Sequence, residues 1–126
     1  MAKPDLTHLD TEIEAQGYAV RHVLDGMTCR DLARIWDEEA RFRKHIIMQQ
    51  HAYGRGEYRY FSYPLPDAVA ALREAFYPPL AQIANAWRRI LGQPGTFPPT
   101  LREFIEQCHQ AGQTRPTPLM LSLIHI

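Results

Sequence analysis

Apolar positions recur along the chain at two spacings, and each change of spacing falls at a turn-forming residue. Leu9 and Ile13 share one helical face after Thr7-His8-Leu9-Asp10, which reads as a capping box with Thr7 as N-cap and Asp10 reaching back. Gly17 is placed to end that helix in the left-handed conformation. Tyr18–Val23 alternates weakly, as a strand does. Thr28-Cys29-Arg30-Asp31 reads as a second capping box. The helix it opens carries Leu32, Ile35, Trp36 and Ala40 as a stripe.

From His45 to His51 the run Ile46-Ile47-Met48 predicts a buried strand. Gly54-Arg55-Gly56 follows as a turn. Glu57 to Tyr63 alternates with heavy aromatic content, so a hairpin is expected. Pro64-Leu65-Pro66 breaks the second strand. Val69, Leu72 and Phe76 mark a helix that Pro78-Pro79 must end or kink, and a further helix carries Leu80, Ile83, Ala84, Trp87, Ile90 and Leu91 up to Gly92. Thr100-Leu101-Arg102-Glu103 is a third capping box, opening a helix with Leu101, Phe104, Ile105 and Cys108 on one face. After Gln113–Pro118, Leu119-Met120-Leu121 begins a strand with no partner following it. Such a strand leaves backbone groups unpaired on at least one side, and this suggests truncation.

Composition narrows the class. The 126 residues suffice for one domain, and 45% are apolar against 22% charged. Fourteen Lys and Arg balance fourteen Asp and Glu, so whole-surface steering toward nucleic acid or an acidic membrane is not expected, though a local basic patch stays open. No apolar stretch is long enough to span a membrane, and Met1–Asp5 has no apolar run of the signal-peptide kind; a cytoplasmic protein is expected. Cys29 and Cys108 lie far apart without a CxxC pattern, which fits two reduced, semi-buried thiols.

Few residues carry recognisable chemistry. His8-Leu9-Asp10 matches the His-x-Asp of non-haem iron sites, but it falls in the first turn of an apparent helix rather than on a barrel rim, and Asp10 is expected to cap. His22, His45, His51, His109 and His125 show no ligand spacing. His45 and His51 are expected on one strand face, too far apart to share a metal. No catalytic and no metal-binding residue is therefore assigned. Arg55, Tyr58, Arg59, Tyr60 and Tyr63 interleave base and aromatic. That pattern could stack nucleobases or grip phosphate, but a half-buried strand whose tyrosines pack and whose arginines snorkel is the favoured expectation.

From about Gly17 to Leu121 the sequence resembles the N-terminal region of a bacterial family of 2OG-Fe(II) oxygenases. The resemblance is carried by Tyr53-Gly54-Arg55-Gly56-Glu57-Tyr58-Arg59-Tyr60-Phe61 with Tyr63-Pro64-Leu65-Pro66, and by Tyr77-Pro78-Pro79-Leu80 through Ile83-Ala84-Asn85-Ala86-Trp87. The most specific part is the run Cys108-His109-Gln110-Ala111-Gly112-Gln113-Thr114-Arg115-Pro116-Thr117-Pro118-Leu119-Met120-Leu121. The resemblance implies a double-stranded β-helix (jelly-roll) enzyme that uses Fe(II) and 2-oxoglutarate to hydroxylate or oxidatively demethylate a substrate. In that family the metal ligands follow the last matching strand, so none is carried over to a residue here. The sequence departs from the family at Ser122, where the family has Arg.

The expectation is an α+β piece: residues 1–121 form a mainly helical N-terminal flank with a β-hairpin, and most of the barrel is missing. Ser122-Leu123-Ile124-His125-Ile126 resembles translated adapter sequence and is expected to be a non-native tail. The piece is expected to be marginally stable and inactive alone, with no cofactor of its own, neither binding iron tightly nor consuming 2-oxoglutarate, and with Trp36, Phe76, Trp87 and Phe104 packed only on each other. Weak substrate contacts are assigned to Arg55, Tyr58, Arg59 and Arg115. Two other readings stay open: a small helical protein-interaction module, and part of a dioxygenase that repairs alkylated nucleic acid. Substrate and oligomeric state are not legible.

Overall fold

The structure, a computed structural model, describes residues 4–52 and 54–122. It is α+β, with four α-helices and one three-stranded antiparallel sheet. The order is α1 (Leu9–Gln16), α2 (Gly26–Ile35), β1 (Phe42–Ile47), β2 (Glu57–Phe61), α3 (Asp67–Ile90), α4 (Leu101–Gln110) and β3 (Leu119–Ser122), with short 3-10 turns at Glu39–Arg41 and Met48–His51. The proposed tail beyond Ser122, the extreme N-terminus and Tyr53 lie outside the described residues.

Two compact units divide the chain. One draws on the segment up to Asp25 and on Ala70–Thr114; the other on Gly26–Val69 and the segment from Arg115 onward.

In the first unit Leu9, Ala81, Ile83 and Leu101 are buried. Tyr77 stacks on Phe104 with centroids 5.4 Å apart, and Phe97 meets Phe104 edge-on at 5.9 Å. Pro78 and Pro79 do not divide α3, which runs through both. The helical φ suits proline, and the cost is two absent N–H donors at Pro78 and Pro79, which would otherwise bond to the Glu74 and Ala75 carbonyls one turn earlier. The stretch just after them carries the buried Ala81 and Ile83, whose burial favours the uninterrupted helix. At the far end the stripe faces out instead. Trp87 is 51% exposed, Ile90 76% and Leu91 69%.

Helix caps separate the three expected boxes. Thr100 caps α4 by accepting from the Glu103 amide at 3.3 Å. Thr7 does not cap α1: its hydroxyl and amide both donate to Asp5 Oδ1, at 2.7 and 3.1 Å, and the cap residue is His8 at φ 60°. Thr28 lies inside α2, which already begins at Gly26. Gly17 ends α1 at φ 86°, as expected for a residue without Cβ. Tyr18–Val23 forms no strand. Arg21 fixes this segment instead, with two 2.9 Å bonds to the two Glu12 carboxylate oxygens and one of 2.8 Å to the Thr7 carbonyl.

The second unit is built on the sheet, in the order β1-β2-β3. A hairpin forms, but its first strand runs Phe42–Ile47 rather than His45–His51, is not fully buried and leaves Met48 in the turn; it pairs Lys44↔Tyr60, His45↔Arg59, Ile46↔Tyr58 and Ile47↔Glu57, with a bulge between Phe42 and Lys44. The last strand was expected to stand alone. It pairs with β2 through Tyr58↔Leu121 and Tyr60↔Leu119, because the chain returns after α4 to the free edge of β2. His51 lies in a 3-10 turn rather than on the strand of His45, so the two share no strand face. Trp36 and Ala40 fall beyond the end of α2. Phe61 is 1% exposed and stacks on Phe42 at 5.0 Å. Trp36 meets Phe42 at 6.3 Å within this unit.

Candidate functional site

Side chains alternate across a strand, and cross-strand partners share a face. One face of the sheet therefore carries Glu57, Arg59, Phe61, His45 and Met120. The other carries Tyr58, Tyr60, Ile46, Lys44, Leu119 and Leu121.

On the first face Arg59 is half-buried. Its guanidinium lies 4.8 Å from the Trp36 ring centroid and 5.6 Å from that of Phe42, and Nη1 donates to the Trp36 carbonyl at 2.9 Å. Its Nε is buried without a hydrogen-bond partner. His45 Nε2 and Glu57 Oε2 are 3.0 Å apart on this face. Arg59 is thus held among rings and main chain on this face.

On the second face Tyr58 and Tyr60 meet edge to face, 5.6 Å between centroids. Arg43, the extra residue of the bulge, lies over Tyr60 at 4.5 Å, and its Nε donates to the Pro116 carbonyl at 2.9 Å. Lys44 is exposed beside it.

The four expected contact residues are not brought together. Tyr58 and Arg59 point to opposite faces, Arg55 is exposed in the turn between β1 and β2, and Arg115 is exposed just before the buried Pro116. The structure instead gathers Tyr58, Arg43 and Lys44 around Tyr60. Strand alternation could have linked Tyr58 to Tyr60, but the bulge that brings in Arg43 leaves no mark in the sequence.

In the first unit a cleft of about 380 Å³ is lined by His8, Asp10, Gln82, Ile83 and Arg89 among others. It contains the His-x-Asp pair, yet among the described residues no three His, Cys, Asp or Glu side chains are grouped so as to hold a metal ion. An iron centre does not fit these residues. Burial raises the Tyr77 phenol above its usual range, with Glu103 and Cys108 adding to the shift, while its hydroxyl donates to the Pro98 carbonyl at 2.8 Å. Cys29 is exposed rather than semi-buried, Cys108 is half-buried, and both are free thiols. No helix among the described residues is long and apolar enough to cross a membrane.

Residues 56–125, more than half of the chain, match a family described as an oxygenase catalysing oxidative methylation of damaged DNA. The chain belongs to this oxygenase family. The matched residues include β2, α3, α4 and β3. Two uncharacterized proteins of Mycobacterium tuberculosis, from strains CDC 1551 and H37Rv, are each 43% identical to the chain over 61 residues. That stretch is 48% of this chain and 26% of either relative, so the match spans about a quarter of the relatives' length. No solved structure matches the chain.

Proposed function

We propose that the chain is the N-terminal portion of an Fe(II)/2-oxoglutarate-dependent oxygenase that acts on damaged DNA. The observation that carries this reading is the family match over residues 56–125, whose description names damaged DNA. The short coverage of the relatives supports a longer whole protein, and we place the iron ligands, the 2-oxoglutarate site and the jelly-roll barrel in that further length. Bound there, the iron would supply the oxidising chemistry. The residues described here contribute scaffold and a surface, and no oxidative step is derived from them. Oxidative removal of an alkyl group from a base is the reaction such an enzyme would perform on damaged DNA.

The test uses the open reading frame that contains this segment, expressed with its downstream sequence. Purified with Fe(II) and supplied with O2, it should convert 2-oxoglutarate to succinate and CO2 when given a single-stranded oligonucleotide carrying N-methylated bases, one oxygen atom entering succinate and the other leaving with the methyl carbon as formaldehyde. Absence of turnover on every alkylated oligonucleotide, in protein shown to be folded, overturns the reading. The outward stripe of Leu80, Trp87, Ile90 and Leu91 favours a second reading, in which the segment is an interaction module. A stably folded chain that binds a partner protein and shows no oxygenase activity in its longer form would support it.

A further inference from the structure

We propose that the sheet face bearing Tyr58 and Tyr60 is a docking surface for single-stranded DNA, the tyrosines stacking on bases and Arg43 and Lys44 meeting phosphates. The inference rests on the reading of the protein as acting on DNA and adds where the strand would lie.

Three observations select this face over its opposite. First, the aromatic rings are neighbours on one strand, and they are flanked by apolar side chains that remain accessible. Leu119 and Leu121, the cross-strand partners of Tyr60 and Tyr58, are 43% and 54% exposed. Second, the carboxylate charge is confined to the opposite face, which Arg59 and His45 share. The three strands contain one carboxylate, Glu57, and it lies on the opposite face beside His45. Arg43 and Lys44 lie with the tyrosines, and the unit as a whole has eight Lys and Arg against six Asp and Glu. The neutral net charge of the chain conceals this local excess. Third, Arg43 is held in place over Tyr60, with Nε bonded to the Pro116 carbonyl, so little side-chain freedom remains to be lost on binding. Rings that accept any base and cations that track a backbone are what sequence-tolerant single-strand binding requires.

The experiment measures fluorescence anisotropy of a labelled oligothymidylate, with the 126-residue chain and with the longer reading frame, across a salt series. Tyr60→Ala and Tyr58→Ala should each weaken binding about tenfold, the scale of one lost stacked base. Arg43→Gln and Lys44→Gln should each flatten the log–log salt slope by about 0.7, as expected for one phosphate contact on a single strand. Tyr60→Phe, which keeps the ring, guards against misfolding and should bind as the parent does. Tyr18→Ala, at an exposed tyrosine of the other unit, should change nothing. Binding unaffected by all four sheet variants, or a longer protein in which further sequence covers this face and excludes DNA from it, overturns the proposal. Alkylated-DNA turnover with the same KM in the parent and the sheet variants would sink the docking surface while leaving the oxygenase reading intact. Binding that depends on this face in a protein inert toward 2-oxoglutarate would do the reverse.

Discussion

The Asn85 side chain bonds both polar groups of the Phe97 main chain: Oδ1 accepts from the Phe97 amide at 2.6 Å and Nδ2 donates to its carbonyl at 3.0 Å. The pair ties α3 to the loop preceding α4. Arg88 fastens the same loop, lying over the Phe97 ring at 4.5 Å and donating to the Pro94 carbonyl at 2.8 Å. Asn85→Ala removes both bonds and should lower stability by about 1–3 kcal/mol, read as a shifted urea midpoint. Asn85→Asp should be no better tolerated, because a carboxylate cannot donate to the Phe97 carbonyl. A variant as stable as the parent would show that the loop holds without this clamp.

Arg21 makes the acid limb of the stability profile depend on Glu12. The hydrogen bonds from Arg21 are the leading reason the Glu12 carboxyl titrates below its usual range, with the Arg21 charge acting in the same direction. A carboxyl depressed in the folded state contributes stability above its unfolded value, roughly 4.3, and loses it as pH falls through the folded value. The urea midpoint of the parent should therefore decline on acidification below that range. Glu12→Gln should start lower at neutral pH and converge with the parent in acid. Parallel profiles would exclude this pair as the source.

Arg59 should not be replaceable by lysine. Its planar group covers Trp36 and reaches the Trp36 carbonyl, a geometry an ammonium does not reproduce. Arg59→Lys should cost about 1–2 kcal/mol of stability. Because the side chain lies on the face opposite Tyr58, the folded variant should retain the salt slope of oligonucleotide binding. A flattened slope would place Arg59 at the DNA after all.

Thr100→Ala should destabilise by about 1 kcal/mol, as loss of an N-cap does, with circular dichroism reporting frayed helix. Thr100→Ser should restore most of the loss. An alanine variant matching the parent would mean that Leu101 burial alone starts the helix.

The difference between Thr100 and Thr7 shows what could be read from the sequence and what could not. Both begin an expected box, but Thr100 is followed at the third position by Glu103, whereas Thr7 and Thr28 are followed by the shorter aspartate. Asp5 then competes for Thr7 from only two residues away. The hairpin was legible because strand alternation over Glu57–Phe61 is local. The partner of Leu119–Ser122 was not, since it lies across two helices in the sequence. Pro78-Pro79 misled for a related reason: proline signals report local backbone cost, while the burial of Ala81 and Ile83 that accompanies the continuous helix is tertiary. Among the candidate site residues, the tyrosines were visible as a cluster. Alternation within β2 already turns Arg59 away from Tyr58 and Tyr60, but only the bulged register showed that Arg43 joins them.

The position of β2 between its two neighbours sets an order for events on the ribosome. The β1–β2 ribbon has all its residues once Phe61 emerges, but the other side of β2 must wait through the synthesis of α3 and α4 for Leu119–Ser122. In that interval a nascent chain offers a bare row of amides and carbonyls to any extended peptide nearby. Helices α3 and α4 form from near contacts while the row waits, so slow translation through this stretch would lengthen the exposure to mispairing rather than help the sheet close.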